Sequence, residues 1–304
     1  MKPRMVLITG GSGLVGRNLS SLLLTKGYIV SHLSRSKAII PGIKVIQWDP
    51  KNRRIDHDAL SGVNYLVHLA GANIGEKRWT KTRKKEIVSS RINSAKFLFD
   101  LIKDNPGELK AFISASAIGF YGAITSGKIY NEKDLPGTDF LGDTCRQWEE
   151  AADQFGKAGI RTVKIRTAIV LEKNDAALSK LMLPAKYGFV VRTGTGHQFM
   201  PWIHIDDLCN IYLKSIDDQN MNGIYNAVSP EHINHNDFVR TMAHVMKKPV
   251  FLPPVPAFIL RAVLGEMSAV IINGSRISSE KIINSGYSFI HPALEEALSN
   301  IICQ

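Results

Sequence analysis

A glycine-rich run close to the start of the chain, Thr9-Gly-Gly-Ser-Gly-Leu-Val-Gly16, constrains the fold more than any other feature. It follows an apolar run, residues 4–9, that reads as a buried strand. It opens an amphipathic run, residues 14–26, that reads as a helix. Strand, glycine turn and helix in direct succession make a phosphate cradle. The turn needs backbone angles open to glycine, the ligand must approach bare backbone, and the helix must pack close to the strand. N–H groups at the helix start, reinforced by its dipole, then hold anionic oxygens. Gly10, Gly11, Ser12, Gly13, Leu14, Val15 and Gly16 are therefore candidate dinucleotide-binding residues.

The pattern that follows extends this beginning. Residues 28–33, 43–48, 65–69, 111–114 and 162–169 read as further strands, with helical periodicity over 81–103 and 141–157. The strands are continuous apolar runs, as a parallel sheet covered on both faces requires. Alternating strands and helices predict a doubly wound α/β fold. Beyond residue 172 the pattern loosens into shorter pieces punctuated by proline. Residues 1–172 are expected to form the dinucleotide-binding domain and 173–304 a smaller α/β substrate lobe, some of whose segments return to the main sheet.

Composition excludes the other classes. Of the 304 residues, 44% are hydrophobic and 21% charged, which is neither a disordered chain, a collagen-like fibre nor a small disulfide scaffold. No run approaches the roughly 18 apolar residues of a membrane span. The first strand begins too early for a signal peptide, so a cytoplasmic protein is expected. Cys145, Cys209 and Cys303 lie far apart without metal-ligand spacing and read as free thiols, and no metal site is expected. The net charge of +11 is densest in Glu76-Lys-Arg-Trp-Thr-Lys-Thr-Arg-Lys-Lys-Glu86. That stretch can be the solvated start of a helix, a neighbour of a cofactor phosphate or a nucleic-acid contact. No nucleic-acid-binding motif accompanies it, so anionic small ligands are favoured.

The end of the second strand selects the dinucleotide. Where an acidic residue would accept the ribose hydroxyls of NAD, this chain has Ser34-Arg35-Ser36. A guanidinium pairs with a 2′-phosphate and stacks on adenine, so NADP(H) is the expected cofactor. Trp48, at the end of the third strand, is a candidate for the adenine edge or for the core.

With the glycine loop, His68-Leu-Ala-Gly71 and Ser114-Ala-Ser116, the chain resembles the extended short-chain dehydrogenase/reductases of the NAD-dependent epimerase/dehydratase superfamily. It is most similar to the branch called epimerase family proteins, with their own C-terminal domain. That branch carries segments seen here as Ser89-Ser-Arg-Ile-Asn93, Trp148-Glu-Glu-Ala-Ala152, Gly194-Thr-Gly-His-Gln-Phe-Met-Pro-Trp-Ile-His-Ile-Asp-Asp207, Leu264-Gly-Glu266, Gly286-Tyr-Ser-Phe289 and Leu294-Glu-Glu-Ala-Leu298. The resemblance implies a Rossmann-type fold with NADP(H) at the C-terminal strand edges. By position it places Ser34 and Arg35 at the 2′-phosphate. It places Leu69, Ala70, Gly71 and Ser114 along the cofactor, with Glu86 and Arg91 reaching in from the long helix. It also implies a homodimer through helices 81–103 and 141–157.

The wider family uses a tyrosine four residues before a lysine as its proton donor. None of the eight tyrosines here has that lysine. The pair's positions fall on Leu141 and Cys145, or one residue on, on Gly142 and Arg146. Ser116 and Tyr121 are the replacement catalytic candidates. A strand-capping serine and a loop-packing tyrosine are the plain alternatives. Met200 stands where sugar-nucleotide epimerases place a diphosphate-binding arginine, so Phe199, Met200 and Trp202 are expected as an apolar pocket wall or as core. Arg166 and Arg192 remain unplaced cations, and His204 is expected to be buried against Asp206 or Asp207. Three functions fit: an NADP(H)-dependent oxidoreductase or epimerase acting on an unidentified small carbonyl or hydroxyl compound, a catalytically silent NADP(H)-sensing module with a protein partner, and a nucleic-acid binder.

Overall fold

The computed structural model describes residues 4–56, 58–173 and 190–302. Cys303 and the segment 174–189, beside the expected boundary at 172/173, lie outside the described residues.

Fourteen strands are described: β1 Met5–Thr9, β2 Ile29–Ser34, β3 Ile43–Asp49, β4 Arg54–Ile55, β5 Tyr65–His68, β6 Ala111–Ala117, β7 Ile129–Tyr130, β8 Arg161–Thr167, β9 Ile169–Leu171, β10 Val190–Thr193, β11 Trp202–His204, β12 Gly223–Ala227, β13 Val250–Val255 and β14 Arg276–Ile277. Eight of them form one sheet in the order β12-β8-β6-β5-β1-β2-β3-β4. Every pairing in it is parallel except β3 with the short β4. The sheet is the expected Rossmann-type one. From β1 the chain winds outward to β4, then returns on the other side to β5. That reversal opens a crevice at the C-terminal ends of β1 and β5, where open α/β sheets bind ligands.

Both faces of the sheet are apolar because successive side chains point to opposite sides. Val6 and Ile8 pack with Leu19 and Leu23 of helix α1, Leu14–Thr25. Leu7 between them joins Leu66, Phe112, Phe97 and Leu98 on the other face. Phe97 and Leu98 belong to α2, Lys81–Ile102, and Phe155 to α3, Phe140–Lys157. The Phe112 and Phe155 rings stack at 3.6 Å. Each such side chain, fully buried, contributes about 1.5–3 kcal/mol. Thr80 caps α2 by accepting from the Arg83 N–H at 3.1 Å, and Asp139 caps α3 through the Gly142 N–H at 2.8 Å.

The stretch expected as a single strand over 162–169 is divided. β8 ends at Thr167, Ala168 donates to Ala227, and β9 pairs with β11 in a separate two-stranded sheet. A second core, with Leu171, Trp202, Phe238, Met242 and Leu298, lies there. It includes α5, His235–Met246, which follows α4, Ile205–Asp217. β10 pairs with β13, which leads into α6, Ala257–Leu264. β12, from the second half of the sequence, adds the edge strand of the main sheet beside β8. Among the described residues no helix is long and apolar enough to cross a membrane.

Candidate functional site

The glycine loop is a cradle that side chains would fill. Gly10 has φ +71°, and a Cβ on it would lie 2.9 Å from the Leu69 carbonyl. A Cβ on Gly16 would lie 2.5 Å from the Gly10 oxygen. The Gly13 N–H closes the turn onto that same oxygen at 3.0 Å. Helix α1 begins after Gly13 with no side-chain cap and no acidic residue in its first turn, leaving Ser12, Gly13 and the leading N–H groups facing outward beside Leu14 and Val15. The buried Thr9 hydroxyl accepts from the N–H groups of Leu69 (3.2 Å) and Ala70 (3.1 Å), which fixes the β5 loop against the β1 loop. Behind Gly11 lies His32, hydrogen-bonded to Ser20 at 2.7 Å and held below the usual histidine pKa by burial.

At the end of β2, Ser34 is half-buried and Arg35 is exposed, with no ion pair among the described residues. The adenine-edge reading of Trp48 is corrected. On β3 it shares the inward phase of Ile46, is 4% exposed, and lies parallel to Phe97 at 6.4 Å, so its ring belongs to the core. Ser114 lies within β6 opposite His68, its hydroxyl on the Ala115 carbonyl at 3.0 Å, and presents no free side chain at the sheet edge.

Arg91 donates to the Ala72 carbonyl (3.0 Å) and the Ile87 carbonyl (2.9 Å), which braces the loop after Gly71. Burial lowers its pKa to about 10, so it stays charged at neutral pH. Glu86 does not meet Arg91. Its partner is Arg83 at 2.7 Å, a buried guanidinium that also bonds Glu76 at 2.9 Å and the Asn73 carbonyl.

Ser116 and Tyr121 do come together, as members of one buried network. The Ser116 hydroxyl donates to Glu149 Oε1 at 2.7 Å. Arg166 grips both oxygens of Glu149, at 2.8 and 2.9 Å, and donates to the Tyr121 hydroxyl at 3.0 Å. Tyr121 in turn donates to Asn226 Oδ1 at 2.7 Å. Tyr121 is 3% and Arg166 1% exposed. Burial pushes the Tyr121 phenol up to about 12, against the opposing pull of Arg166. Both hydroxyl protons are already donated, so either must leave its acceptor to donate to a substrate, a revision of the free acid–base role expected for them.

The structure also chooses between the two registers for the missing pair. A Cβ on Gly119, in the turn after β6, would lie 3.4 Å from Leu141 Cβ and 3.7 Å from Cys145 Sγ. Leu141 and Cys145 thus face that turn, whereas Arg146 points outward to Asp143 and Glu150. Burial raises the Cys145 thiol to about 12, which leaves it neutral.

The pocket-wall reading of Met200 and Trp202 is corrected too. Both lie in the second core, at 8% and 0% exposure, and Met200 Sδ accepts from His235 Nδ1 at 2.9 Å. Arg192 is half-buried. His204 caps α4, its Nδ1 accepting from the Asp206 N–H at 3.1 Å. With Asp206 and the distant His291 it groups three donor atoms within 4.8 Å, an arrangement no spacing in the sequence announces.

Sequence reasoning missed Glu149 as the partner of Arg166, and Asn226 altogether. A signal existed for the pair. Glu149 falls on the buried phase of α3 with Cys145 and Ala152, and Arg166 interrupts an apolar strand. Opposite charges on two inward phases imply a buried ion pair. Asn226 had no such mark.

Residues 6–144 match the NAD dependent epimerase/dehydratase family, and residues 255–301 a domain of unknown function, DUF1731. Epimerase family protein YfhF of Bacillus subtilis is 33% identical over 98% of this chain and 97% of its own length. Human epimerase family protein SDR39U1 is 31% identical over 98% of this chain and 99% of its own. The crystal structure of the human protein (isoform 2) with NADPH superposes with a TM-score of 0.87 at 30% identity, covering 98% of both chains. The UDP-N-acetylglucosamine 4-epimerase of Bacillus cereus, at 18% identity and a TM-score of 0.78 over 98% of both chains, shares the fold. Glycine cradle, sheet order and full-length similarity agree: the chain belongs to the epimerase family proteins, the branch of the NAD dependent epimerase/dehydratase family that carries this C-terminal domain.

Proposed function

We propose that the protein binds NADP(H) and acts as an oxidoreductase or epimerase-like enzyme on a small carbonyl or hydroxyl compound, without the tyrosine–lysine pair. One observation carries the cofactor reading: Arg35, a guanidinium with no ion pair among the described residues, follows β2, the strand next to the one that leads into a cradle of bare backbone. The NADPH bound by the human relative supports it. The N–H groups of the Gly10–Gly16 loop other than that of Gly13 would hold the diphosphate, Ser34 and Arg35 the 2′-phosphate, and the Leu69–Gly71 segment would run along the dinucleotide. When bound, the cofactor supplies hydride chemistry. Leu141 and Cys145 stand at the tyrosine and lysine positions beside the turn after β6, and neither side chain replaces the phenol–ammonium pair. Any proton must come through Ser116 or Tyr121, by opening the Glu149–Arg166–Asn226 network, or from solvent.

Calorimetry tests this reading. NADPH should bind more tightly than NADH, and Arg35→Gln should erase that preference. Binding of neither nucleotide, or a preference for NADH, overturns it.

The engagement of both hydroxyls favours a second reading, a silent NADP(H)-sensing module that reports to a protein partner. It predicts no cofactor oxidation across a carbonyl library, with partner capture that changes between NADP⁺ and NADPH.

A further inference from the structure

Two motifs remain without a role, the basic stretch 76–86 and the Leu264-Gly-Glu266 turn. The fold brings them together. Lys84 pairs with Glu266 and lies 5.0 Å from the Phe140 ring centre. Arg78 reaches over Gly265, where a Cβ would stand 3.1 Å from its Nη2. The Gly265 N–H donates to the carbonyl of Arg261 on α6. Much of the stretch's charge is neutralised internally, by Glu76 and Glu86 on Arg83 and by Glu266 on Lys84. Arg78 and Arg261 flank the same turn and make no ion pair among the described residues.

This turn borders a cleft of about 460 Å³ between the loop that precedes α2, the start of α3 and the C-terminal segment. Its apolar walls include Trp79, Phe140, Leu141 and Ile272, with the Trp79 and Phe140 rings edge to face at 5.0 Å. The polar side chains around it are already engaged. Asp139 accepts from Gly142 (2.8 Å) and Ala123 (2.6 Å), and Asn273 donates to Ala269. Among the described residues, the side chains without an ion pair on the Gly265 side of the rim are cationic, while the Asp139 carboxylate lies on the α3 side. Leu141, one wall, occupies the position where the wider family would place its tyrosine.

We infer that this cleft is the substrate pocket and that its ligand is a small carboxylate on an aromatic or branched aliphatic body. The body lies against Trp79 and Phe140, with the carboxylate on Arg261 and Arg78. The inference rests on the NADP(H) reading above and names its substrate class. A cleft of this size with an apolar floor and one charged rim suits such a molecule. A nucleotide sugar would need further polar partners for its base and ribose.

The test is calorimetry with three probes, with and without NADP⁺: phenylpyruvate, phenylacetone (the same body without the carboxylate) and UDP-glucose. Phenylpyruvate should bind saturably and at least about tenfold more tightly than phenylacetone. Arg261→Gln, an exposed substitution, should remove that advantage. Trp79→Ala should weaken both phenyl probes alike. Equal binding of phenylacetone, no change in Arg261→Gln, tighter binding of UDP-glucose, or no saturable binding of any probe each overturns the inference. NADPH titration reads the cofactor proposal separately. Tight NADPH with no selectivity for the acid sinks only the substrate class, whereas a selective acid without NADPH binding sinks only the cofactor reading.

Discussion

The cofactor cradle and the candidate catalytic position lie at the same edge of one sheet and are built in opposite ways. The cradle is backbone: Gly10 and Gly16 leave room, and N–H groups face outward from the start of α1. The candidate catalytic position is side chain: Ser116, Glu149, Arg166, Tyr121 and Asn226 bond to one another in a buried chain. A backbone site of this kind leaves the leading N–H groups of a helix without side-chain caps, although the Gly13 N–H closes the turn onto Gly10. A closed side-chain network has committed its hydroxyl protons before any ligand arrives. The difference teaches that binding and chemistry need not be built, or lost, together in this family.

The sharpest way to break the comparison is to open the network. Glu149→Leu leaves the buried guanidinium of Arg166 unpaired and should cost about 3–5 kcal/mol of stability, read as a shift in urea midpoint. The double variant with Arg166→Met should recover much of that loss. If the single variant matches wild type, the ion pair does not hold the site together.

Acid should weaken the second core next, outside both regions. His235 accepts from the Thr193 N–H at 3.0 Å, and burial lowers its pKa to about 4, first by desolvation and then by Arg192. The unfolded chain, with an ordinary histidine pKa near 6.5, binds that proton first as pH falls. This contribution is thus fully present above about pH 6.5 and lost between there and about pH 4, at most about 3 kcal/mol. Urea melts across that window should show the loss, and His235→Gln should flatten it.

The cradle should respond in affinity. Gly10→Ala forces a side chain into positive φ and against the Leu69 carbonyl, and NADPH should bind about 100-fold more weakly in calorimetry. Arg35→Gln should lose about tenfold in NADPH affinity with NADH unchanged. The smallest effect sharpens the role of the network. Tyr121→Phe removes one hydroxyl with two partners and should lower stability by about 1–2 kcal/mol. If its turnover falls more than about 100-fold while NADPH affinity holds, the phenol takes part in chemistry despite its partners.

Much of the fold was legible because its signals are local. The β1–α1 unit lies in one continuous stretch, and the apolar strands gave the sheet. Arg35 was singled out by the same kind of local signal, as a fixed step beyond that unit. The catalytic region was not. Its members come from β6, the following turn, α3, β8 and β12, and only folding makes them neighbours. Trp48 and Met200 misled because an apolar side chain at a strand end reads the same whether it lines a pocket or fills a core. Only the inward phase shared with Ile46, and the sulfur's bond to His235, separate the two.

The edge strand β12 carries one more consequence. It is synthesised long after β8, yet it covers that strand's open side and brings Asn226 to Tyr121. A fragment ending near residue 172 would therefore expose a bare rim of unsatisfied amides, prone to stick to other chains. On the ribosome the nascent protein must wait for its later portion before that rim is sealed, so the two halves of the gene product mature as one.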